Sequence, residues 1–220
     1  MNKVLILFAH PRFEKSKTNR ALLKDIERQE GITFNDLYEQ YPDFNIDVTR
    51  EKELFLAHQI IIWHHPFYMY SGPALLKQWI DLVLEYGWAH GRGGDFLLNK
   101  IIFNVLTSGG TREVYAAAGY TRHTLGGTRE VYAAAGYNRH TIREFLVPFE
   151  QTASLCKMNY LPPFAVQGTH LLTDEALQRH VVLYRTLLSR LVTGEFDVEE
   201  MKKVPYLNDW LLSVTGLLKP

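Results

Sequence analysis

The sequence predicts a doubly wound α/β fold, a five-stranded parallel sheet with helices on both faces. Three observations carry this. Val4–Phe8 is unbroken apolar sequence, and Gln59–Trp63 and Ile101–Leu106 are nearly so, the pattern of strands covered on both faces. Amphipathic stretches separate them, and strand and helix alternate five times.

Taken in order, Val4–Phe8 is the first strand, followed by a Pro, Ser, Lys and Thr loop and a helix over Asn19–Glu30, with Gly31 at its C′ position. Ile32–Tyr38 is a weaker strand, and Arg50–His58 a short helix. After the strand Gln59–Trp63, Pro73 opens a helix whose Leu75, Leu76, Trp79, Ile80, Val83 and Leu84 share one face. Ile101–Leu106 is the fourth strand, Pro148 starts a helix running to about Asn159, and Phe164–Gln167 is the fifth strand. The last long helix starts at Thr173, carries Asp174 and Glu175 at the positive end of its dipole, and stops at Gly194. Its Leu177, Val181, Tyr184, Leu188 and Leu191 form the stripe that docks on the sheet. Residues 1–195 therefore form the main domain and 196–220 a tail, in which Trp210, Leu211 and Leu212 suggest packing on something, a partner subunit included.

The chain has 220 residues, 46% of them hydrophobic and 22% charged, which excludes intrinsic disorder. Lys+Arg and Asp+Glu are 24 each, so there is no basic excess for nucleic acid or anionic lipid. A single cysteine, Cys156, on a helix's apolar face, is an inert core thiol, and the expected location is cytoplasmic. His64 and His65 are adjacent, so on a strand they face opposite ways and do not chelate one ion; no metal site is expected.

Residues 109–125 and 126–142 are a tandem duplication, identical at 15 of 17 positions. Two copies are too few for a solenoid. A bulging surface loop is the simplest reading, since loop-closure entropy grows slowly with length.

In a parallel sheet, ligands bind at the carboxyl ends of the strands. After the first strand, Ser16, Thr18 and Asn19 precede a helix and could cradle one phosphate, although an ordinary helix cap explains the same residues. GxGxxG and GKS/GKT are absent, which disfavours a dinucleotide or NTP held by those devices. After the third strand, Phe67, Tyr68, Met69 and Tyr70 form an apolar loop suited to covering something flat. After the fourth, Thr107-Ser108-Gly109-Gly110 lets backbone approach a ligand closely. A phosphorylated planar ring, flavin mononucleotide, fits all three.

The run AHP-x5-S-x-x-N, then HPFYMYSGPALLKQWID, GWAHGRGG, TSGG and YLPPF, resembles flavodoxin-like NAD(P)H:quinone oxidoreductases of the DT-diaphorase type. Within that group it is most similar to small bacterial members, including ancillary subunits of glutathione-gated potassium efflux systems. DLYEQYPDFNID, residues 36–47, matches that subgroup too. The resemblance implies a cytoplasmic homodimer using FMN, with FAD the alternative, and NAD(P)H as co-substrate. Hydride would pass through the flavin to a quinone, and a potassium efflux transporter at the membrane's inner face is an implied partner. It places His10, Ser16, Lys17, Thr18 and Asn19 on the phosphate side, and Pro66, Phe67, Tyr68, Met69 and Tyr70 along the ring. Thr107, Ser108, Gly109 and Gly110 fall at the ring's polar edge. It further implies a Tyr and His that handle protons. Tyr115 falls at the expected place, whereas His123 lies two positions beyond the expected one, which holds Thr121. Tyr132 and His140 repeat the pair in the second copy. The competing functions are a flavin-binding regulatory subunit with little turnover and a one-electron carrier. A neutral chain without an acidic run argues against the carrier. A further alternative is a nicotinamide pocket blocked by the second loop copy.

Overall fold

The structure is a computed structural model, and residues 1–112, 114 and 140–216 are described. Parallel strands β1 (Val4–Phe8), β2 (Ile32–Asp36), β3 (Ile60–Pro66), β4 (Ile101–Thr107) and β5 (Asn159–Tyr160) lie in the order β2-β1-β3-β4-β5, and β6 (Phe164–Val166) also pairs with β4. The helices are α1 (Lys17–Leu22), α2 (Leu37–Gln40), α3 (Val48–Ala57), α4 (Ala74–Val83), α5 (Ile142–Phe145), α6 (Val147–Leu155), α7 (Asp174–Thr193), α8 (Val198–Lys202) and α9 (Leu207–Thr215).

Alternation along the strands splits the core in two. Leu5, Leu7, Ile61, Trp63, Ile102 and Leu106 meet Phe55, Trp79 and Phe149 from α3, α4 and α6. Val4, Ile6, Phe8, Ile60, Ile62, Phe103 and Val105 meet Leu22, Tyr184, Leu187 and Leu211 from α1, α7 and α9. Both faces being covered is why the central strands are apolar throughout.

Several boundaries differ from the sequence expectation. The helix predicted over Asn19–Glu30 stops at Leu22. Asp25 takes a left-handed φ of 57° and a 3-10 turn over Ile26–Arg28 follows, which buries Ile26 beside Leu22 and Leu23. Gly31 is thus no helix cap but the turn into β2, with φ 81°; a Cβ there would come within 2.8 Å of Val192. The helix predicted from Pro148 to about Asn159 is the shorter α6, and a separate short helix, α5, precedes it. Thr141 and Glu144 make a capping box for α5, and α6, with Pro148 in its first turn, ends at Leu155. The strand predicted over Phe164–Gln167 is β6, and an additional segment, β5, precedes it; Leu161-Pro162-Pro163 separates the two, since proline has no N–H for the ladder. Thr173 caps α7 and Gly194, at φ 81°, ends it, as the sequence predicts.

Residues 196–216 pack on this chain's own core. Trp210 and Leu211 are buried with α7, and Asn208 gives both amide bonds to the backbone of Ala165, accepting at 2.9 Å and donating at 3.1 Å. That pairing satisfies the free edge of β6. Cys156 is buried as expected, but it caps the end of α6 rather than sitting on a helix face, and burial pushes its thiol up to about 11.

Under the carboxyl end of β2 lies a polar knot that sequence pattern did not reveal. The Glu51 carboxylate is fully buried and accepts from Tyr41 hydroxyl and Trp79 Nε1 at 2.7 Å each, from Asn35 Nδ2 at 2.9 Å, and from Arg50. Burial, with Glu51 beside it, pushes the Tyr41 phenol up to about 12. One carboxylate thus fastens α3, α4 and the segment after α2 to β2. Glu51→Gln puts an amide where only donors point and is expected to cost about 3–5 kcal/mol of stability. Urea unfolding at pH 7 of both proteins checks this.

Candidate functional site

The sequence-selected loops converge at the carboxyl ends of β1, β3 and β4, because β1, β3 and β4 are adjacent. Ser16 caps α1, its Oγ accepting from the Asn19 N–H at 3.2 Å. The next helical N–H groups, those of Lys17 and Thr18, have no acceptor within the helix by position. Thr18 is buried, whereas the Lys17 side chain turns outward and its Nζ meets Asp174 at 2.6 Å.

Asn19 is buried and fully engaged. Its Nδ2 donates to Ser16 Oγ at 2.9 Å and to Thr107 Oγ1 at 3.1 Å, so Oδ1 faces His64. His64 Nε2–H donates to that oxygen at 3.0 Å, and the Tyr184 hydroxyl donates to Nδ1 at 3.2 Å. Those partners define the tautomer. Burial holds His64 well below the usual imidazole range, helped by the nearby His65 and His10, so it is neutral. Burial raises the Tyr184 phenol. Asn19 therefore ties the Ser16 loop to the β4 loop, and His64 orients Asn19. His64 belongs to β3, which continues three residues beyond the predicted end at Trp63. Sequence reading weighed His64 only as a metal ligand; a histidine one residue past a buried strand was the available signal.

His65 points the other way. Its Nδ1–H donates to the Pro66 carbonyl at 2.9 Å, and Nε2 accepts from Asn104 Nδ2 at 2.9 Å. The Tyr160 hydroxyl donates to Asn104 Oδ1 at 2.5 Å, and the His65 ring stacks on Phe149 at 5.4 Å. Burial pulls His65 down to about 4.

The Phe67–Tyr70 loop is a two-residue reversal: Tyr68 and Ser71 exchange backbone bonds of 3.0 Å, with Met69 at φ 45° and Tyr70 at φ 69° between them. Side chains at φ > 0 are uncommon outside Asn, Asp and Gly, so the turn holds apolar groups at a conformational cost. Phe67 is buried, but Met69 is 88% exposed and Tyr68 and Tyr70 are close to half exposed. Tyr70 stacks on Phe145 at 5.0 Å, and His140 lies edge-on to the same Phe145 at 5.6 Å. His10 is buried beside this loop. Its Nδ1 accepts from the Arg12 N–H at 3.1 Å and its Nε2 meets the Tyr68 hydroxyl at 3.4 Å. Burial lowers His10, with Glu14 opposing.

At β4, Pro66 pairs with Thr107 and the Phe67 N–H donates to the Thr107 carbonyl at 2.7 Å, joining the aromatic loop to Thr107-Ser108. The Ser108 N–H donates to the Val166 carbonyl at 2.9 Å and Ser108 Oγ to the Gly110 carbonyl at 2.8 Å. Gly109 is exposed and avoids the left-handed backbone; a Cβ there would find nothing nearer than His170 Nδ1 at 3.6 Å. The position allows close approach and does not need glycine for its conformation. Tyr115, His123 and Tyr132 lie outside the described residues.

With this geometry in hand, comparison with known proteins is decisive at the family level. A family model for the flavodoxin-like fold matches residues 2–126 and 122–188. The chain belongs to this family. It is 40% identical over 182 residues to the glutathione-regulated potassium-efflux system ancillary protein KefG of Serratia proteamaculans, 83% of this chain and 90% of the relative. Among solved structures, general stress protein 14 of Treponema denticola in complex with FMN is 31% identical, with a TM-score of 0.72 over 86% of this chain and 99% of its own. An NADPH-quinone reductase from P. pentosaceus is also 31% identical, with a TM-score of 0.69 over 84% and 96%. A structure named thermophilic tryptophan halogenase is 35% identical, with a TM-score of 0.73 over 84% and 97%, so the names borne by similar structures span more than one chemistry. No described helix is long and apolar enough to cross a membrane.

The buried histidines make stability pH-dependent. His65 and His180 are both pulled down to about 4, and His64 lower than usual, so each takes up a proton more readily on unfolding. The contribution of His65 and His180 is complete above about pH 6.5 and is lost as pH falls toward 4, at about 1.4 kcal/mol per pH unit for each, and His64 acts in the same direction. Unfolding free energies at pH 7, 6 and 5 should fall steadily; a flat profile contradicts the neutral assignment.

Proposed function

We propose that this chain is an FMN-dependent NAD(P)H:quinone oxidoreductase. The observation that carries the proposal is the juxtaposition of three features at the carboxyl end of the sheet. These are the hydroxyls of Ser16 and Thr18 with the orphan N–H groups of Lys17 and Thr18, an exposed aromatic turn at Tyr68–Tyr70, and open backbone at Gly109. The donor set suits a phosphate, and the apolar turn suits one face of a flat ring. Similarity to an FMN-bound structure and to an NADPH-quinone reductase supports the same reading.

When bound, the flavin supplies two-electron hydride exchange between nicotinamide and quinone. The chain's own residues do the rest. Ser16, Thr18 and the first α1 N–H groups bind the phosphate, and Asn19 holds that loop against Thr107 through the His64 bond. His10, Pro66 and Phe67 support the wall formed by Tyr68, Met69 and Tyr70, and Thr107 to Gly110 meet the ring's polar edge. Lys17 contributes its backbone N–H on the phosphate side, while its Nζ is turned outward and paired with Asp174. A Tyr hydroxyl, from Tyr115 or its copy Tyr132, donates to the quinone oxygen as negative charge develops there, backed by His123 or His140. His140 is the member of these pairs that is described, and it borders the aromatic wall through Phe145.

The second reading, a flavin-binding ancillary subunit of a potassium efflux transporter with little turnover, is favoured by the 40% identity to KefG. In that reading the chain acts as a homodimer docked at the membrane's inner face. Turnover with quinone by the purified protein favours the oxidoreductase; co-purification with a transporter and negligible turnover favour the ancillary role.

An anaerobic absorbance spectrum with and without NADPH tests the proposal. Flavin bands that bleach on addition of NADPH are expected. A wild-type protein that takes up neither FMN nor FAD on reconstitution overturns it. Asn19→Ala, which removes the bonds to Ser16, Thr107 and His64, should weaken FMN binding about tenfold, read by fluorescence titration. Deleting residues 126–142 should leave flavin reduction within about twofold if the second loop copy is a neutral bulge; a large gain in rate would mark that copy as an obstruction of the nicotinamide pocket.

A further inference from the structure

We infer that the helical extension beyond the family match is a brace for the loop that follows β4, with Asp209 as a positioning residue for the flavin chemistry. This rests on the proposed function above. The family match ends at residue 188, whereas Tyr206, Asn208 and Asp209 belong to or border α9. Yet these three residues reach back to the strand ends where the candidate site lies.

The brace has two halves. On the sheet side, α9 is locked in register with β6: the Leu207 N–H donates to the Pro163 carbonyl at 2.9 Å, and Asn208 makes its two bonds to Ala165. Trp210 and Leu211 are buried next to it, so the first turn of α9 is a rigid support. On the loop side, Arg112 makes a forked pair with Asp209, Nη1 donating to Oδ1 at 2.9 Å and Nη2 to Oδ2 at 2.7 Å. Its guanidinium also lies over the Tyr206 ring at 4.7 Å. A planar cation held at its edge by a carboxylate and across its face by an aromatic ring is fixed in orientation as well as position.

The connected loop is the one that matters. Arg112 lies two residues after Gly110 and three before Tyr115. The same loop is tied to the β6 side by the Gly168 N–H, which donates to the Gly110 carbonyl at 2.9 Å, and by the Thr169 N–H, which donates to the Ser108 carbonyl at 3.0 Å. The residues at the polar edge are therefore held from β6 by backbone bonds and from α9 by the Arg112 fork. The side chains of the pair are 38% and 24% exposed, so as a contributor to global stability it is modest. Its value lies in where it holds the chain just after the Thr107–Gly110 loop, since small displacements near reacting groups have large effects on rate.

The test uses full-length wild type, Asp209→Asn, Asp209→Glu and Arg112→Lys, each reconstituted with FMN. Two readouts are made: hydrogen exchange of backbone amides 108–112 without flavin, and the rate constant for flavin reduction by NADPH in stopped flow. Asp209→Asn and Arg112→Lys are expected to speed amide exchange in the loop. They should also slow reduction about tenfold, with the FMN Kd unchanged within about threefold. Asp209→Glu, which keeps the forked pair, should stay within about threefold of wild type on both readouts. Loop exchange and reduction unchanged in Asp209→Asn would overturn the inference. So would an Asp209→Glu protein as slow as Asp209→Asn, which would mean that packing at this position rather than the ion pair sets the rate. A wild-type protein without flavin would instead overturn the proposed function, and the exchange rates alone would still decide whether the brace holds the loop.

Discussion

β3 is buried along its whole length, and that constraint organises the rest of the molecule. Its last residues are His64, His65 and Pro66, so two imidazoles must sit in the core without water. A charged buried imidazole would be very costly, and a neutral one still needs both ring nitrogens satisfied. Each histidine therefore recruits a polar set on its own face of the sheet. His64 gathers Asn19, Ser16, Thr107 and Tyr184; His65 gathers Asn104 and Tyr160 and stacks on Phe149.

The first of these sets links fold to site. The side chain that settles the Ser16 loop is Asn19, and Asn19 is oriented by a histidine whose other nitrogen rests on Tyr184 of α7. The loop at β1, the loop at β4 and the helix on that face are thus parts of one hydrogen-bonded unit. Precision at the strand ends follows from satisfying buried polar groups, with no dedicated scaffold. The aromatic turn is different in kind. Met69 and Tyr70 occupy left-handed backbone and present apolar surface outward, a local conflict of the sort that marks functional loops.

Elsewhere the same economy recurs. Glu51 does for the β2 end what His64 does for β1 and β4, collecting donors from β2, α3, α4 and the segment after α2 around one buried acceptor set. Asn208 substitutes for a missing neighbour strand at Ala165, which explains why α9 is seated so firmly against the edge of β6.

The apolar runs at Val4–Phe8, Gln59–Trp63 and Ile101–Leu106, and the stripe on α7, determined the sheet class and the long terminal helix. Burial on both faces imposes continuous hydrophobicity, and that is written locally. The AHP, HPFYMY and TSGG segments marked the strand ends where the candidate site lies. Other features depended on partners distant in sequence. Whether β3 stopped at Trp63 or ran through His64 and His65 turned on Tyr184 and Asn104, 120 and 39 residues away from their histidines. The break of the first helix at Leu22, the additional segment β5 and the seating of Trp210 were likewise decided by packing. Local pattern records which faces are buried; only tertiary contact records which polar groups meet there, because a hydrogen bond between residues far apart leaves no periodicity in the chain.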